Sequence, residues 1–344
     1  YAGAQCNLGV CYELGKGVEE NIEAAVEWYR KAAEQGYARA QCNLGVCYEL
    51  GKGVEKNIEE AIEWYRKAAE QEYDQAQFRL GVCYEDGKGV EKNIEAAVEW
   101  YIMAAEQGYA RAQFSLGVCY ELGKGVEKNI EEAVEWYIMA AEQGYAIAQL
   151  GLGLCYEYRM GNKEEAAEWY RKAAEQGEST AQCNLGFFYE NGIGVKRNIE
   201  EATKWYRKAA EQGESTAQCN LGFFYENGIG VKSNIEEATK WYRKAANNGS
   251  AKGYYCLAEM IFKDMSTSDF GGSALLVAAS ILVPVTNFVT IPAAIGGSAL
   301  KRRNAIKKLL STDKGKEMIQ YYRKASELGY EDAEKRLKKL EKYL

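Results

Sequence analysis

Seven tryptophans divide this chain at almost constant intervals. Trp28, Trp64, Trp100, Trp136, Trp169, Trp205 and Trp241 are separated by 36, 36, 36, 33, 36 and 36 residues, and each stands in the same local sequence. One copy reads Ala40-Gln41-Cys42-Asn43-Leu44-Gly45-Val46-Cys47-Tyr48-Glu49, then Gly51-Lys52-Gly53-Val54, then Asn57-Ile58-Glu59-Glu60-Ala61-Ile62-Glu63-Trp64-Tyr65-Arg66-Lys67-Ala68-Ala69. A fixed period of this size marks a stack of supersecondary units, so the 344 residues predict a repeat array in place of two or three ordinary domains.

Each copy reads as two helices. Ala40, Leu44, Cys47 and Tyr48 recur at i, i+4, i+7 and i+8, the stripe of an amphipathic helix and not of an alternating strand. Gly51 predicts its end, because glycine takes the left-handed conformation without a Cβ penalty. Asn57 predicts the start of the second helix as its N-cap, with Glu60 completing a capping-box pair that recurs at Asn129/Glu132, Asn198/Glu201 and Asn234/Glu237. Ala61, Trp64, Tyr65 and Ala68 form the expected buried stripe. Gly-Lys-Gly-Val joins helix to helix and lacks the Lys-Ser/Thr ending of a phosphate-cradling loop, so it reads as a turn whose Val plugs the gap between helices.

The pattern A-x-x-x-L-G-x-x-Y-x-x-G-x-G-V-x-x-N-x-x-x-A-x-x-W-Y-x-x-A-A-x-x-G closely resembles the Sel1-like repeat, a relative of the tetratricopeptide repeat. The resemblance implies an all-α, right-handed αα superhelix of about eight helix-turn-helix repeats, used as a protein-interaction scaffold. The expected organisation is seven repeats over 1–249, an eighth over 250–329 interrupted by an apolar insertion at about 265–313, and a capping helix over 330–344. Solenoids need such a polar-faced cap because their last apolar face has no neighbour. Repeat five reads Tyr158-Arg159-Met160-Gly161-Asn162 where its siblings have Gly-x-Gly-Val, which predicts a kink or a changed pitch there.

Some secreted Sel1-like proteins have two bridged cysteines in each repeat. Cys6/Cys11 and Cys42/Cys47 are five apart on one helix, about 140° around its axis, so they cannot bridge each other. Cys11, Cys47, Cys83, Cys119 and Cys155 are expected to form a column of small buried residues. Free buried thiols favour a reducing, cytoplasmic compartment. The chain starts at Tyr1 inside a repeat, so a signal peptide or further repeats upstream remain open.

Chemistry is narrowed by the absence of His. That removes Ser-His, Cys-His and His-metal sites, and no C-x-x-C pair exists to hold zinc. A catalytic site needs different residues converging on one point. Residues 177–210 and 213–246 differ only at Arg197/Ser233, so the array makes rows of one residue instead. No catalytic residue, cofactor or metal is expected, and an enzyme of the β-lactamase-like kind ascribed to some cysteine-rich relatives is the least favoured reading.

Of 43 Lys and Arg and 50 Asp and Glu, the last 44 residues hold 14 and 7, leaving 29 and 43 for residues 1–300. An acidic body argues against nucleic acid, whose phosphates are held by basic residues. Binding of a protein or peptide is the expected function. In the related tetratricopeptide superhelices the first helices line the groove. Here Asn7, Asn43, Arg79, Ser115, Gly151, Asn184 and Asn220 occupy one equivalent outward position there. An Asn amide both donates and accepts, which suits the backbone of an extended peptide.

From Phe270 to Leu300 there is no charge in 31 residues, and Lys301, Arg302 and Arg303 follow at once. Such a run with a basic flank predicts membrane contact over 270–308, through Leu275, Leu276, Ile281, Leu282, Val283, Phe288 and Ile291 with those three basic residues. A single crossing would separate the two helices of repeat eight, and two crossings need about 40 apolar residues. A hairpin entering one leaflet keeps the repeat intact; an apolar hairpin folded on the solenoid is the lipid-free alternative. In the membrane-active version of this reading the hairpin is the effector element and the repeats only position it.

Overall fold

The computed structural model describes residues 1–268 and 306–343, and all regular structure in them is helical. Contacts divide the chain into two compact units, Tyr1–Ala173 and Ala174–Leu344. Each is a stack of helix-turn-helix repeats, the solenoid architecture expected from the sequence.

The first unit runs through α1 (Ala2–Leu14), α2 (Ile22–Ala33), α3 (Ala38–Leu50), α4 (Ile58–Ala69), α5 (Asp74–Asp86), α6 (Ile94–Glu106), α7 (Ala110–Leu122), α8 (Ile130–Glu142), α9 (Ala146–Cys155) and the start of α10 (Lys163–Glu175). Gly51 ends α3 at φ 68°, its N–H donating to the Cys47 carbonyl. Asn57 caps α4 by accepting from the Glu60 N–H at 3.1 Å. The reciprocal half of the expected capping box is not made. The Asn57 N–H donates instead to the Tyr48 carbonyl at 3.0 Å, and Glu60 accepts from Trp64 Nε1 at 3.1 Å. The backbone bond closes the interhelical loop, so the Glu side chain is released to fix the tryptophan.

The core is centred on tyrosine. Tyr29, Tyr65 and Tyr170 have no exposed surface, each burial being worth roughly 1.5–3 kcal/mol. The tryptophans of this unit, expected in the buried stripe, are only half-buried. Trp64 lies against the cluster that the first two repeats share, which includes Tyr29 of the first and Leu44 of the second. Its part is to join neighbours. A Cβ on Gly45 would stand 2.5 Å from Tyr65 Cε1, so the Leu-Gly pair of each first helix exists to admit the ring. Cys47, Cys83, Cys119 and Cys155 are buried, whereas Cys11 in the first repeat is half-buried, a correction to the expected column.

At repeat five α9 continues into a π-helical turn, Tyr156–Met160, closed by Gly161 at φ 69°. The three residues missing from this repeat are absorbed by that wide turn, steadied by Lys163 Nζ on the Glu157 carbonyl at 2.9 Å.

The second unit contains α11 (Ser179–Asn191), α12 (Ile199–Glu211), α13 (Ser215–Asn227), α14 (Ile235–Asn247), α15 (Ala251–Ser268), α16 (Asp313–Glu327) and the C-terminal capping helix α17 (Glu331–Leu340). The last of these buries Ala333, Leu337 and Leu340 in one cluster with Met318 and Tyr322. The insertion residues 269–305, with every membrane-contact residue named above, lie outside the described residues.

Candidate functional site

The first helices carry the row at one equivalent position, and most of it is not free. In the first unit Asn7 is exposed, while Asn43, Arg79 and Ser115 are half-buried. Asn43 Nδ2 approaches Cys6 Sγ at 3.9 Å. Arg79 Nη1 donates to Glu49 Oε2 at 3.3 Å, and its guanidinium carbon stands 5.7 Å from the Tyr65 ring centre. At Gly151 a Cβ would meet Phe114 at 3.2 Å. These side chains therefore lean back on the preceding first helix and leave their outer edges to solvent; Arg79 keeps 36% of its side chain exposed. In the second unit Asn184 and Asn220 are half-buried, and Asn220 Oδ1 accepts from Lys252 Nζ at 3.3 Å.

Behind the row runs a ladder of phenol–carboxylate bonds. The hydroxyls of Tyr65, Tyr101 and Tyr137 donate to Glu49, Glu85 and Glu121 at 2.5, 2.6 and 2.9 Å. Burial and then the bonded carboxylate push the Tyr65 and Tyr101 hydroxyls well above the usual phenol range. Glu49 thus holds both Tyr65 and Arg79, which fixes the guanidinium at the floor of the row.

A second ladder was not foreseen from sequence. Gln41, Gln77 and Gln113 are buried, and their Nε2 atoms donate to the carbonyls of Ala33, Ala69 and Ala105 in the repeat before, at 3.1, 3.4 and 3.1 Å. Their Oε1 atoms accept from Gln71, Gln107 and Gln143 at 2.7, 2.7 and 2.8 Å. The signal was the recurring Ala-Gln pair of each first helix. Exposed aromatics were missed too: Phe187 and Phe223 are 45% and 47% exposed at a position that is Val in most earlier repeats.

Among the described residues no group of three or more Cys, Asp or Glu could hold a metal. The tetrad Ser-x-x-Lys of β-lactamase-like enzymes does occur, at Ser298–Lys301 outside the described residues and at Ser311–Lys314. In the latter Ser311 Oγ donates to the Lys308 carbonyl at 2.8 Å and Lys314 is paired with Asp264 at 2.8 Å, so each is engaged by another group. Among the described residues no helix is long and apolar enough to cross a membrane.

A family model described as Sel1 repeat matches residues 2–37, 38–73, 74–109, 110–145, 146–178, 179–214, 215–250 and 319–330. Among solved structures, c5321, a protective antigen present in uropathogenic Escherichia coli strains displaying an SLR fold, is 33% identical, with 98% of this chain and 71% of that chain covered at a TM-score of 0.70. A Sel1 repeat protein from Oxalobacter formigenes is 36% identical over 70% of this chain and 96% of its own, at a TM-score of 0.62. No curated protein matches.

Proposed function

This chain belongs to the Sel1 repeat family, whose members mediate protein–protein interaction on a non-enzymatic scaffold, and from that premise we propose that it is an adaptor binding an extended peptide or protein segment along its first helices. The contact row in this reading is Asn7, Asn43, Arg79 and Ser115 in the first unit and Asn184 and Asn220 in the second. The observation that carries it is the change from Asn to Arg to Ser between Leu-Gly pairs that do not change, at positions whose outer edges stay open. A scaffold that keeps its Leu-Gly pairs and varies this outer position changes what it offers a partner while keeping the fold.

The test uses peptides selected from a displayed random library on the full chain, measured again on the variant Asn43→Ala, Arg79→Lys, Ser115→Ala. An affinity loss of about tenfold or more, some 1.4 kcal/mol, with an unchanged melting temperature is expected. Unchanged affinity removes the row from the proposal.

A second reading rests on the uncharged run from Phe270 to Leu300 and its basic flank: tethering of the scaffold to an anionic membrane. Each basic residue near such a surface contributes about 1 kcal/mol. The full chain should float with phosphatidylserine vesicles and a variant lacking 270–300 should not; if neither floats, the tether and the membrane-active version fail together. The paired helices α15 and α16, read as the split halves of an eighth repeat, would keep the scaffold closed on either side of the insertion.

A further inference from the structure

One pair of positions splits the second helices of the seven repeats into two kinds. Five of them carry Arg-Lys directly after the Trp-Tyr pair, as α4 does at Arg66 and Lys67, whereas α6 and α8 carry Ile102-Met103 and Ile138-Met139. Where lysine is present its ammonium lies over the tryptophan ring, 4.1 Å from the ring centre for Lys67 on Trp64 and 3.6 Å for Lys172 on Trp169. In α4 it also stands between two carboxylates on its own face, Glu63 four residues before it and Glu70 three after. In α6 and α8 the carboxylates remain, as Glu99 and Glu106 and as Glu135 and Glu142, and the cation between them is replaced by methionine.

The fold turns this difference into a surface. Met103 and Met139 are 45% and 43% exposed, the four carboxylates that bracket them are exposed, and Ile102 and Ile138 are half-buried. The two helices belong to consecutive repeats and are held side by side. Gln113 of α7 donates to the Ala105 carbonyl of α6 at 3.1 Å and accepts from Gln143, at the end of α8, at 2.8 Å. Trp136 of α8 packs on the cluster that contains Val98 and Tyr101 of α6. Within their bounds α6 and α8 hold only acidic charges, three and four of them, whereas α4 holds two basic residues as well. The result is an apolar strip with carboxylates on both sides.

We infer that the face of α6 and α8 that bears Met103 and Met139 is a docking surface for a basic amphipathic helix of a partner protein. Charge decides the class of occupant. A second copy presenting the same face would set carboxylates against carboxylates, and anionic lipid or nucleic acid is repelled in the same way. Lysines or arginines flanking an apolar stripe instead meet Glu99, Glu106, Glu135 and Glu142, while the stripe covers the two methionines. Methionine suits the contact because its unbranched, polarizable side chain repacks around partners of different shape. Two helices side by side also leave a groove along which a third can lie. No residue of the first-helix row lies on α6 or α8, so this surface stands or falls apart from the peptide groove.

The test is a titration of the full chain, labelled at its methionine ε-methyl groups, with a peptide of about 14 residues that places leucine at i, i+3, i+4 and i+7 and lysine elsewhere. Saturable shifts are expected at Met103 and Met139 and none at Met318, which is fully buried. The same peptide with glutamate in place of lysine should leave both signals unmoved. Met103→Lys combined with Met139→Lys should weaken binding about tenfold or more by calorimetry. The fold is kept in that variant, because lysine stands at these positions in five sibling repeats. No shift at Met103 and Met139, equal binding of the glutamate peptide, or unchanged affinity in the double variant overturns the inference. Shifts at both methionines on dilution without peptide assign the face to a second copy of this chain. Shifts at both on removal of residues 270–303 assign it to the chain's own uncharged run and its basic flank. Either of these two results overturns the partner assignment.

Discussion

Tyr322 donates its hydroxyl to Glu259 at 2.8 Å across 63 residues, whereas Tyr65 makes the same bond to Glu49 at 2.5 Å across 16. The carboxylate has also moved on its helix. The residue that corresponds to Glu49 near the end of α15 is Phe262, and Glu259 sits one helical turn before it. From there Glu259 also accepts from Arg336 Nε of α17 at 2.9 Å. The last carboxylate of the ladder therefore ties the capping helix to the stack.

Replacing Glu259 by Gln keeps the shape but weakens both bonds. Arg336 is 15% exposed, so its charge would lose its partner away from bulk water. Chemical denaturation should show a loss of about 1–3 kcal/mol. A variant as stable as the parent would mean that α17 is held by its apolar face alone.

Gly45→Ala tests the fit of the tyrosine. With a Cβ placed 2.5 Å from Tyr65 Cε1, ring or helix must shift, and overpacking of this kind costs about 1–3 kcal/mol. Helix propensity alone favours Ala over Gly by up to about 1 kcal/mol, so a stabilised variant would show that the ring gives way freely.

Glu72 is the one residue other than glycine with positive φ among the described residues, at 60°, in the place where Gly36, Gly108 and Gly144 close their helices. Left-handed backbone costs an L-residue about 1–2 kcal/mol, offset in part by the entropy of glycine. Glu72→Gly should raise the melting temperature, and a lowered one would show that the Glu side chain contributes more than the strain.

Thiol reactivity should single out one cysteine. Cys42 is buried and its thiol is pushed up to about 12 by burial, which suppresses the reactive thiolate. Cys47 and Cys83 are buried and pushed up to about 11. Cys11 and Cys256 are half-buried, but burial pushes the Cys256 thiol up to about 12. A disulfide reagent at pH 8 should therefore show one fast phase that Cys11→Ser removes; a fast phase that survives in that variant would mean that the repeats open readily.

Alkaline pH should unfold the protein early. Buried thiols such as Cys119 and Cys155, raised to about 11 by desolvation, and phenols such as Tyr65 and Tyr206, raised by burial and their Glu partners, hold protons longer folded than unfolded. Above their unfolded values the unfolded chain binds fewer protons, so stability is complete below about pH 9 and falls as pH rises toward the folded values. Melting curves between pH 7 and 11 should show that fall; a flat profile would contradict it.

The helix boundaries were legible because their causes are local. Gly51 ends a helix through its own φ, and Asn57 starts one through a bond three residues long. The roles of the aromatic pair were not legible: Trp64 and Tyr65 are adjacent and both apolar, and periodicity alone places both inside. Which one fills the centre depends on Gly45 in another helix. The same holds for Gln41, polar in composition yet buried, because its two partners come from the preceding repeat and from the end of its own.

By itself the sequence determined a stack of two-helix repeats, the equivalent positions of the first-helix row and the place where the pattern breaks, since a period repeated seven times leaves few ways to bury its apolar stripes. Tertiary structure decided what each row does. It turned Arg79 back onto Glu49 and Tyr65 and sank the glutamines into a ladder between repeats. Those outcomes depend on contacts between separate helices, Glu49 with Arg79 and Gln41 with Gln71 being 30 positions apart, which local periodicity does not encode.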